Sequence, residues 1–157
     1  MECWFKYRHL IMKNKATTYI KNRKVNFNYY IEDTYKAGLV LCGSEVKSIR
    51  AGKVNINESY CYFKNNELFL KNSFITSDNS KMFSHDETRD RKLLLNKKEL
   101  ARLIKSVNMD GYTIVPTSIE VPSVGYIKIN IALAKGKHNY DKRETIKKRD
   151  MERELKQ

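Results

Sequence analysis

Residues 127–133 read IKINIAL, and every odd position in this run is isoleucine or leucine. Lys128 and Asn130 lie between those apolar positions. Successive side chains of a β-strand point to opposite faces, so the alternation predicts a strand with one buried face and one wet, basic face. This segment therefore constrains the chain to a sheet that is covered on one side and solvated on the other.

Two aromatic segments on either side of Lys64-Asn65-Asn66 indicate a β-hairpin. Residues 59–63 (SYCYF) and 67–72 (ELFLKN) are strand-like, and the residues between them are typical of a tight turn. Further strand-like runs are residues 27–31, 38–43 and 112–115, and residues 32–37 favour a weak helical turn. The middle of the chain is therefore predicted to be mostly β.

Two helices are expected within this body. In the first, Ser44 caps residues 45–51 and a glycine follows the last residue. In the second, residues 96–108, apolar side chains recur at the spacing of a buried helix face. Asn96 is its expected N-cap, and Glu99 three positions later completes a variant of the capping box.

Short strands, two buried helices and a basic exposed face together predict a small closed β-barrel. The OB-like barrel is the commonest fold of this kind on nucleic acid, so the predicted class is mostly β with flanking helices. The 157 residues fit one domain. We expect a basic N-terminal arm over residues 1–21, the barrel over residues 22–136 and a basic tail over residues 137–157.

The C-terminal segment and the total charge indicate a polyanionic partner. Residues 135–149 carry seven Lys or Arg against two acidic residues, and the chain has a formal net charge of +13. The segment has almost no apolar residues, so it cannot bury enough surface to fold by itself, although its propensity favours helix. We expect a tail that is disordered when free and helical on a partner, and nucleic acid is the partner that suits this charge.

The same sequence argues against several other classes of protein. Cys3, Cys42 and Cys61 form no CxxC pair, which disfavours a zinc site or a disulfide framework and favours a reducing, cytoplasmic setting. Cys42 and Cys61 fit as small core side chains. No apolar run approaches the roughly 18 residues that span a bilayer, and the N-terminus lacks the pattern of a secretory signal. Without paired carboxylates, a phosphate-cradling glycine loop or a nucleophile–base pair, we expect no catalytic residues, no metal and no cofactor.

Several motifs, in a fixed order, carry a resemblance to a known family. They are GSEVKSIRAGKVN at 43–55, RDRKLLLN at 89–96, GYTIV at 111–115, AKGK at 134–137 and YDKR at 140–143. Through these motifs the chain resembles the SsrA-binding protein family, also called small protein B, over residues 22 to about 155. The ordered set is far more specific than any one of the motifs alone.

The resemblance implies an OB-like barrel and an RNA-binding adaptor that is not an enzyme. Members of the family bind the tRNA-like domain of transfer-messenger RNA in bacterial ribosome rescue. Their tail enters the empty mRNA path of a stalled ribosome and probes the decoding centre of the small subunit. The expected partners are therefore transfer-messenger RNA and the ribosome, with the chain acting as a monomer in the cytoplasm and away from membranes.

Carried over by position, the resemblance implies RNA-facing residues on the barrel and in the tail. On the barrel they are Leu94, Asn96 and Lys128, to which Lys47 and Arg50 of the first helix add basic charge. In the tail they are Lys135, Gly136, Lys137, Tyr140, Asp141, Lys142, Arg143, Lys147, Lys148 and Arg149. Tyr140 stands where the family has an aromatic residue or histidine that can stack on a base. Each of these residues also has a plainer alternative role. Asn96 would be only a helix cap, at least one leucine of residues 93–95 would pack in the core, and Lys128 would lie on a solvated strand face. The tail would be a solvated charged segment without a dedicated site.

Several positions depart from the family pattern, and one of them bears directly on RNA contact. Relatives usually have an acidic residue that contacts RNA immediately before the Ala-Gly pair, whereas this chain has Lys36. That contact is therefore not carried over. The alternative function is a generic OB-fold RNA-binding or ribosomal protein with a basic tail, which fits every feature except the ordered motifs. A preference for a tRNA-like fold over single strands would separate the two functions.

Overall fold

A computed structural model of the chain describes residues 17–77, 85–108 and 111–154. The strands in these ranges are β1 (Thr17–Lys21), β2 (Tyr29–Leu39), β3 (Val54–Asn55), β4 (Tyr60–Lys64), β5 (Glu67–Lys71), β6 (Phe74–Ile75), β7 (Arg91–Leu94), β8 (Tyr112–Pro122) and β9 (Lys128–Gly136). The helices are α1 (Val25–Asn28), α2 (Gly43–Arg50), α3 (Lys97–Val107) and α4 (Asn139–Glu154). The predicted class, mostly β with flanking helices, is confirmed.

The main sheet closes on itself into a barrel. Seven strands are hydrogen-bonded in the order β1-β8-β4-β5-β7-β2-β9, and β9 also pairs with β8. This last pairing makes β8, β4, β5, β7, β2 and β9 a closed ring, while β1 extends the edge of β8 that β4 leaves free. Closure removes the unpaired edges that an open sheet would present to other chains.

Strand β9 supplies the centre of the core, as its alternating sequence predicts. Ile129 and Ile131 are completely buried. Ala132, which the alternation places on the wet face, is buried as well, because Val25 of α1 and the ring of Tyr29 pack over that part of the barrel. Lys128 is exposed at the start of the strand. The wet face of β9 is therefore interrupted at Ala132 and Ala134, between an exposed start at Lys128 and an exposed end at Gly136.

The predicted hairpin and the second predicted helix are confirmed. Asn65 and Asn66 join β4 to β5 with φ angles of 50° and 60°, the left-handed conformation that a tight two-residue turn between twisted strands requires. Helix α3 has Asn96 as its N-cap, and Glu99 Oε2 accepts the Asn96 backbone N–H at 3.1 Å. Leu103 of this helix is completely buried.

The first helix starts earlier than predicted. Cys42, not Ser44, is the N-cap of α2, and its backbone N–H donates to Glu45 Oε2 at 2.8 Å. The Ser44 hydroxyl instead lies 2.9 Å from His85 Nδ1. Cys42 is exposed, so its interpretation as a core side chain is wrong, whereas Cys61 is buried as expected. Burial raises the pKa of the Cys61 thiol, so that this group stays protonated.

Two further segments are strands where the sequence indicated something else. Residues 32–37 belong to β2, not to a helical turn, because pairing with β9 outweighs their local preference. A register shift between Ile31 and Asp33 marks this place in the ladder. Thr17–Lys21, assigned to the N-terminal arm, form β1 on the edge of β8, and Ile20 packs against the core. Residues 1–16 of the predicted arm lie outside the described residues.

The described part of the tail is helical as α4. The Asp141 carboxylate accepts a hydrogen bond from the His138 backbone N–H at 3.2 Å and so satisfies a donor at the helix start. The predicted disorder of the tail in the free chain stays a prediction.

A buried ionic cluster fastens α2 to β7. Glu45 and Arg91 are both completely buried, with Glu45 Oε1 at 2.9 Å from Arg91 Nε and at 2.8 Å from Arg89 Nε. Arg91 Nη1 also donates to the backbone oxygen and the hydroxyl of Ser73, both at 2.8 Å. Burial alone raises the pKa of Glu45, but the hydrogen bonds from Arg89 and from the Cys42 backbone N–H, with the charges of both arginines, hold the pKa below its ordinary value.

Glu45→Gln is expected to lower the free energy of unfolding by about 3–5 kcal/mol, because the buried guanidinium of Arg91 loses its counterion. Urea unfolding at pH 7 measures the change. Glu58→Gln is the matched control, since the Lys24–Glu58 ion pair is largely exposed on both sides and should contribute little. Equal losses in the two variants would contradict the role assigned to Glu45.

The stabilisation by Glu45 is also expected to depend on pH. Folding lowers the pKa of its carboxyl, so the stabilisation is fully present above the unfolded pKa of about 4.3 and is lost as the pH falls through the folded pKa. The difference in unfolding free energy between wild type and Glu45→Gln should hold from pH 7 to pH ~5 and shrink below pH ~4. Unfolding curves across this range test the sign, and a difference that shrinks as the pH rises would contradict it.

Candidate nucleic-acid interface

Four strands bring predicted barrel residues onto one outer face. Gly38 of β2 pairs with Leu94 of β7 on one side and with Lys128 of β9 on the other. Lys128 in turn pairs with Glu120 of β8. Directly paired residues project to the same side of a sheet, and a Cβ at Gly38 would lie 3.4 Å from the Leu94 Cβ. Leu94 and Lys128 are therefore members of one row across the barrel surface.

A second row lies two residues further along the same strands. Lys36 of β2 pairs with Asn130 of β9. Asn96 borders a depression of about 220 Å³ that Lys36 and Leu94 also line. We call this surface the lysine face; its members are Lys36, Leu94, Asn96, Glu120, Lys128 and Asn130.

The leucine run divides between the core and the surface. Leu93 is buried in the core, Leu95 packs partly against it, and Leu94 is 52% exposed. An exposed leucine beside a lysine offers an apolar surface on which an unstacked base can pack. Asn96 caps α3 and is exposed, so its capping role leaves the side chain in reach of solvent. RNA contact by Leu94 and Asn96 stays a prediction.

Lys36, where relatives usually have an acidic residue, lies at the centre of this face. It lines the depression beside Leu94 and Asn96, and it also lines a second depression of about 400 Å³ with Thr117 and Asn130. Lys36 therefore borders both concave parts of the surface.

A carboxylate lies among the cations of the lysine face. Glu120 Oε1 lies 2.9 Å from Lys36 Nζ and accepts a hydrogen bond from Asn130 Nδ2 at 3.0 Å. The pKa of Glu120 is lowered first by the Asn130 hydrogen bond, which together with Lys36 and Lys128 outweighs the cost of partial burial. Glu120 is thus ionised at neutral pH on a surface expected to meet a polyanion.

Sequence reasoning missed Glu120 and Asn130 as members of this surface. Asn130 had a usable signal, because it shares the wet face of the alternating segment with Lys128. Glu120 had none, since its place beside Lys128 depends on the register between β8 and β9.

The two basic residues of α2 differ in their relation to this face. Arg50 Nη2 donates to the Gly125 backbone oxygen at 3.4 Å, in the loop that leads directly into Lys128. Tyr126 of the same loop is 91% exposed. Arg50 therefore lies at the rim of the lysine face, whereas Lys47 lies on the exposed side of α2.

The start of the tail is fastened to the barrel by Lys137. Its backbone N–H donates to the Asn28 oxygen at 2.8 Å, and its Nζ donates to the Asn26 oxygen at 3.0 Å. The same Nζ lies 4.7 Å from the ring centroid of Tyr30. The Lys137 ammonium group thus has protein partners and anchors the tail in this structure.

The remaining tail residues follow in order from the end of β9. Lys135 and Gly136 are exposed at the end of the strand. Asp141 and Lys142 are half-buried at the start of α4, and Arg143, Lys147 and Lys148 are exposed along it. Tyr140 and Arg149 belong to α4, but their side chains lie outside what the structure describes. Of the helices in the described ranges, none is long and apolar enough to cross a membrane.

Known proteins similar to this chain share most of its length. The SsrA-binding protein of Acholeplasma laidlawii (strain PG-8A) is 53% identical over 138 residues, covering 87% of this chain and 92% of the relative. The SsrA-binding protein of Clostridium kluyveri (strain ATCC 8527 / DSM 555 / NBRC 12016 / NCIMB 10680 / K1) is 47% identical over 152 residues, covering 92% and 96%.

A solved structure and a family model agree with these relatives. A chain from a structure described as "tmRNA-SmpB: a journey to the center of the bacterial ribosome" is 40% identical, with a TM-score of 0.65 and coverage of 82% of this chain and 94% of that chain. The family model described as SmpB protein matches residues 19–157. The chain therefore belongs to the SmpB protein family.

Proposed function

We propose that this protein is an RNA-binding adaptor of ribosome rescue. It binds the tRNA-like domain of transfer-messenger RNA and delivers it to stalled ribosomes in trans-translation. Its C-terminal tail probes the empty mRNA path and the decoding centre. Membership of the SmpB family and the likeness to a chain of a tmRNA-SmpB and ribosome structure support this function. The protein acts in the cytoplasm as a binding protein without a chemical step of its own.

The observation that carries the proposal is the composition of the lysine face. Lys128 provides an exposed cation for phosphate, and the exposed side chain of Leu94 provides an apolar platform in the same row. Asn96 adds a hydrogen-bonding amide at the start of α3, where backbone N–H groups favour an anion. One face therefore carries a cation, an apolar platform and a hydrogen-bonding group. These suit the phosphates, unstacked bases and base edges of a folded RNA.

The geometry also separates two binding surfaces along one strand. β9 begins at Lys128 on the lysine face and ends at Gly136, where the tail leaves the barrel. Eight residue steps of a β-strand span about 27 Å. An RNA contact confined to the lysine face therefore leaves the surface at the start of the tail uncovered for a different partner. This division favours a two-partner adaptor over a generic RNA-binding protein with a basic tail.

Lys128→Gln is expected to weaken binding to the tRNA-like domain about five- to tenfold and to make the salt dependence shallower by about 0.7–0.9 in log K against log salt, as for one lost phosphate contact. Titrations at two salt concentrations measure both quantities. Lys105→Gln is the matched control: it removes the same charge from an exposed position about 13 Å along α3 from Asn96. Equal effects of the two substitutions would contradict a specific role for Lys128.

A chain ending at Gly136 is expected to bind the tRNA-like domain within about threefold of the full chain, because that length keeps the whole lysine face and the proposed function assigns the tail cations to the ribosome and not to this RNA. An ordinary tRNA and a length-matched single strand serve as competitors in the titration. The shortened chain should lose its activity in a ribosome-rescue assay. Binding that is equal for all three RNAs and disappears with the tail would refute the proposed function.

A further inference from the structure

The carboxylate of Glu120 is built into the lysine face as part of its structure. Its side chain is only 15% exposed, whereas the side chain of its ion-pair partner Lys36 is 52% exposed. Pairing with Lys128 across the β8–β9 ladder fixes its position along the strand. The Asn130 amide, which donates to the Glu120 and Ser118 oxygens at 3.0 Å each, fixes its rotamer.

This arrangement changes what the face presents to a nucleic acid. Lys36 and Lys128 carry two positive charges, and Glu120 cancels one of them. The Lys36 ammonium already has a counterion at 2.9 Å, so a phosphate gains little by displacing it. Binding to phosphate backbones in general depends on the number of cations that are free to release counterions. On this face Lys128 is the cation that can bind phosphate and release its counterions, and Lys36 is not.

A carboxylate also disfavours phosphate and favours a different group on RNA. Its oxygens repel phosphate oxygens, but they accept hydrogen bonds from the N–H groups of base edges, as acidic residues do from the cytosine amino group. Base-edge N–H groups are accessible in unpaired loops of folded RNA and are covered in a regular duplex. The balance of attraction and repulsion on this face therefore depends on RNA structure.

We propose that Glu120 is the specificity-determining residue of the lysine face: it holds Lys36 in place, weakens binding to phosphate backbones in general, and accepts N–H groups from exposed base edges of folded RNA. The inference rests on the proposed function, since it assumes that this face is the one that meets RNA. Lys36 is then a positioning partner of Glu120 and makes no phosphate contact of its own.

The test compares Glu120→Gln, Lys36→Gln and the double variant on three RNAs: the tRNA-like domain, a regular duplex and a length-matched single strand. Glu120→Gln should bind the duplex about fivefold more tightly, with a salt dependence steeper by about 0.7–0.9, because Lys36 is released to contact phosphate. Its preference for the tRNA-like domain over the duplex should fall at least about tenfold. The double variant should return to the salt dependence of the wild type.

Lys36→Gln separates this role from a merely structural one. It should leave the salt dependence unchanged, because Lys36 neutralises no phosphate in the wild type; a dependence shallower by about 0.7–0.9 would overturn the proposal. The salt dependence of Lys36→Gln tests the proposal even if Glu120→Gln fails to fold. Glu58→Gln is the control for Glu120→Gln, since it removes the same charge from the ion pair with Lys24, outside the lysine face.

The outcomes distinguish this inference from the proposed function. If Glu120→Gln matches Glu58→Gln in affinity, salt dependence and preference, Glu120 has no role in specificity and the inference fails. If the wild type shows no preference for the tRNA-like domain, the proposed function fails. In that second case, a steeper salt dependence of Glu120→Gln on the duplex still supports the positioning of Lys36, whereas an unchanged one overturns both.

Discussion

The pairing of β9 with both β2 and β8 is the constraint on which the barrel and its surface depend. This strand closes the ring, and its register decides which side chains share the outer face. A shift of one residue would turn Ile129 and Ile131 to solvent and Lys128 into the core, so burial fixes the register strongly. The same hydrogen bonds that close the barrel therefore also assemble Lys36, Glu120 and Lys128 from three different strands.

The buried ionic cluster secures a region of the described barrel where charged side chains interrupt the apolar packing. Arg91 begins β7, and a fully buried guanidinium there is tolerated because Glu45, Ser73 and backbone oxygens surround it. Removing water from both ions is costly, so such a cluster adds little net stability and acts as much by fixing the positions of the elements that it joins. It places α2 against the start of β7, and β7 carries the leucine run whose middle residue, Leu94, faces outward. The interior charge pair thus helps to orient a surface residue.

Local signals in the sequence were sufficient for much of the fold. The asparagine pair of the hairpin and the capping pattern at Asn96 each depend on a few neighbouring residues, and both predictions are confirmed. The alternation of residues 127–133 correctly predicts a strand and its buried face, but Ala132 on the predicted wet face is buried as well. The resemblance to the SsrA-binding protein family added the expected partners and site residues. The helical turn expected at residues 32–37 is wrong, because cross-strand pairing, which no local window contains, overrides the local preference there.

The candidate site was predictable to the extent that its residues stand in local motifs. Leu94, Asn96 and Lys128 were identified, and the structure brings them together on one face. Glu120 was not, since a glutamate in a strand has no distinguishing pattern until its neighbour across the ladder is known. The exposed Cys42 shows the converse error: an apolar run suggested burial, but the residue stands at a helix start, where the chain turns outward.

The length of β9 has a consequence for how strongly two separate contacts act together. A strand held on both edges is a stiff spacer, so the lysine face and the start of the tail stay at a nearly constant separation of about 27 Å. Under the proposed function, once RNA occupies one end, a target presented to the other end meets it at an effective concentration that can reach the millimolar range. Two individually modest affinities then combine by avidity, but only for an assembly whose own dimensions match the strand. On this proposal, the barrel selects partners by the distance between their binding surfaces as well as by chemistry.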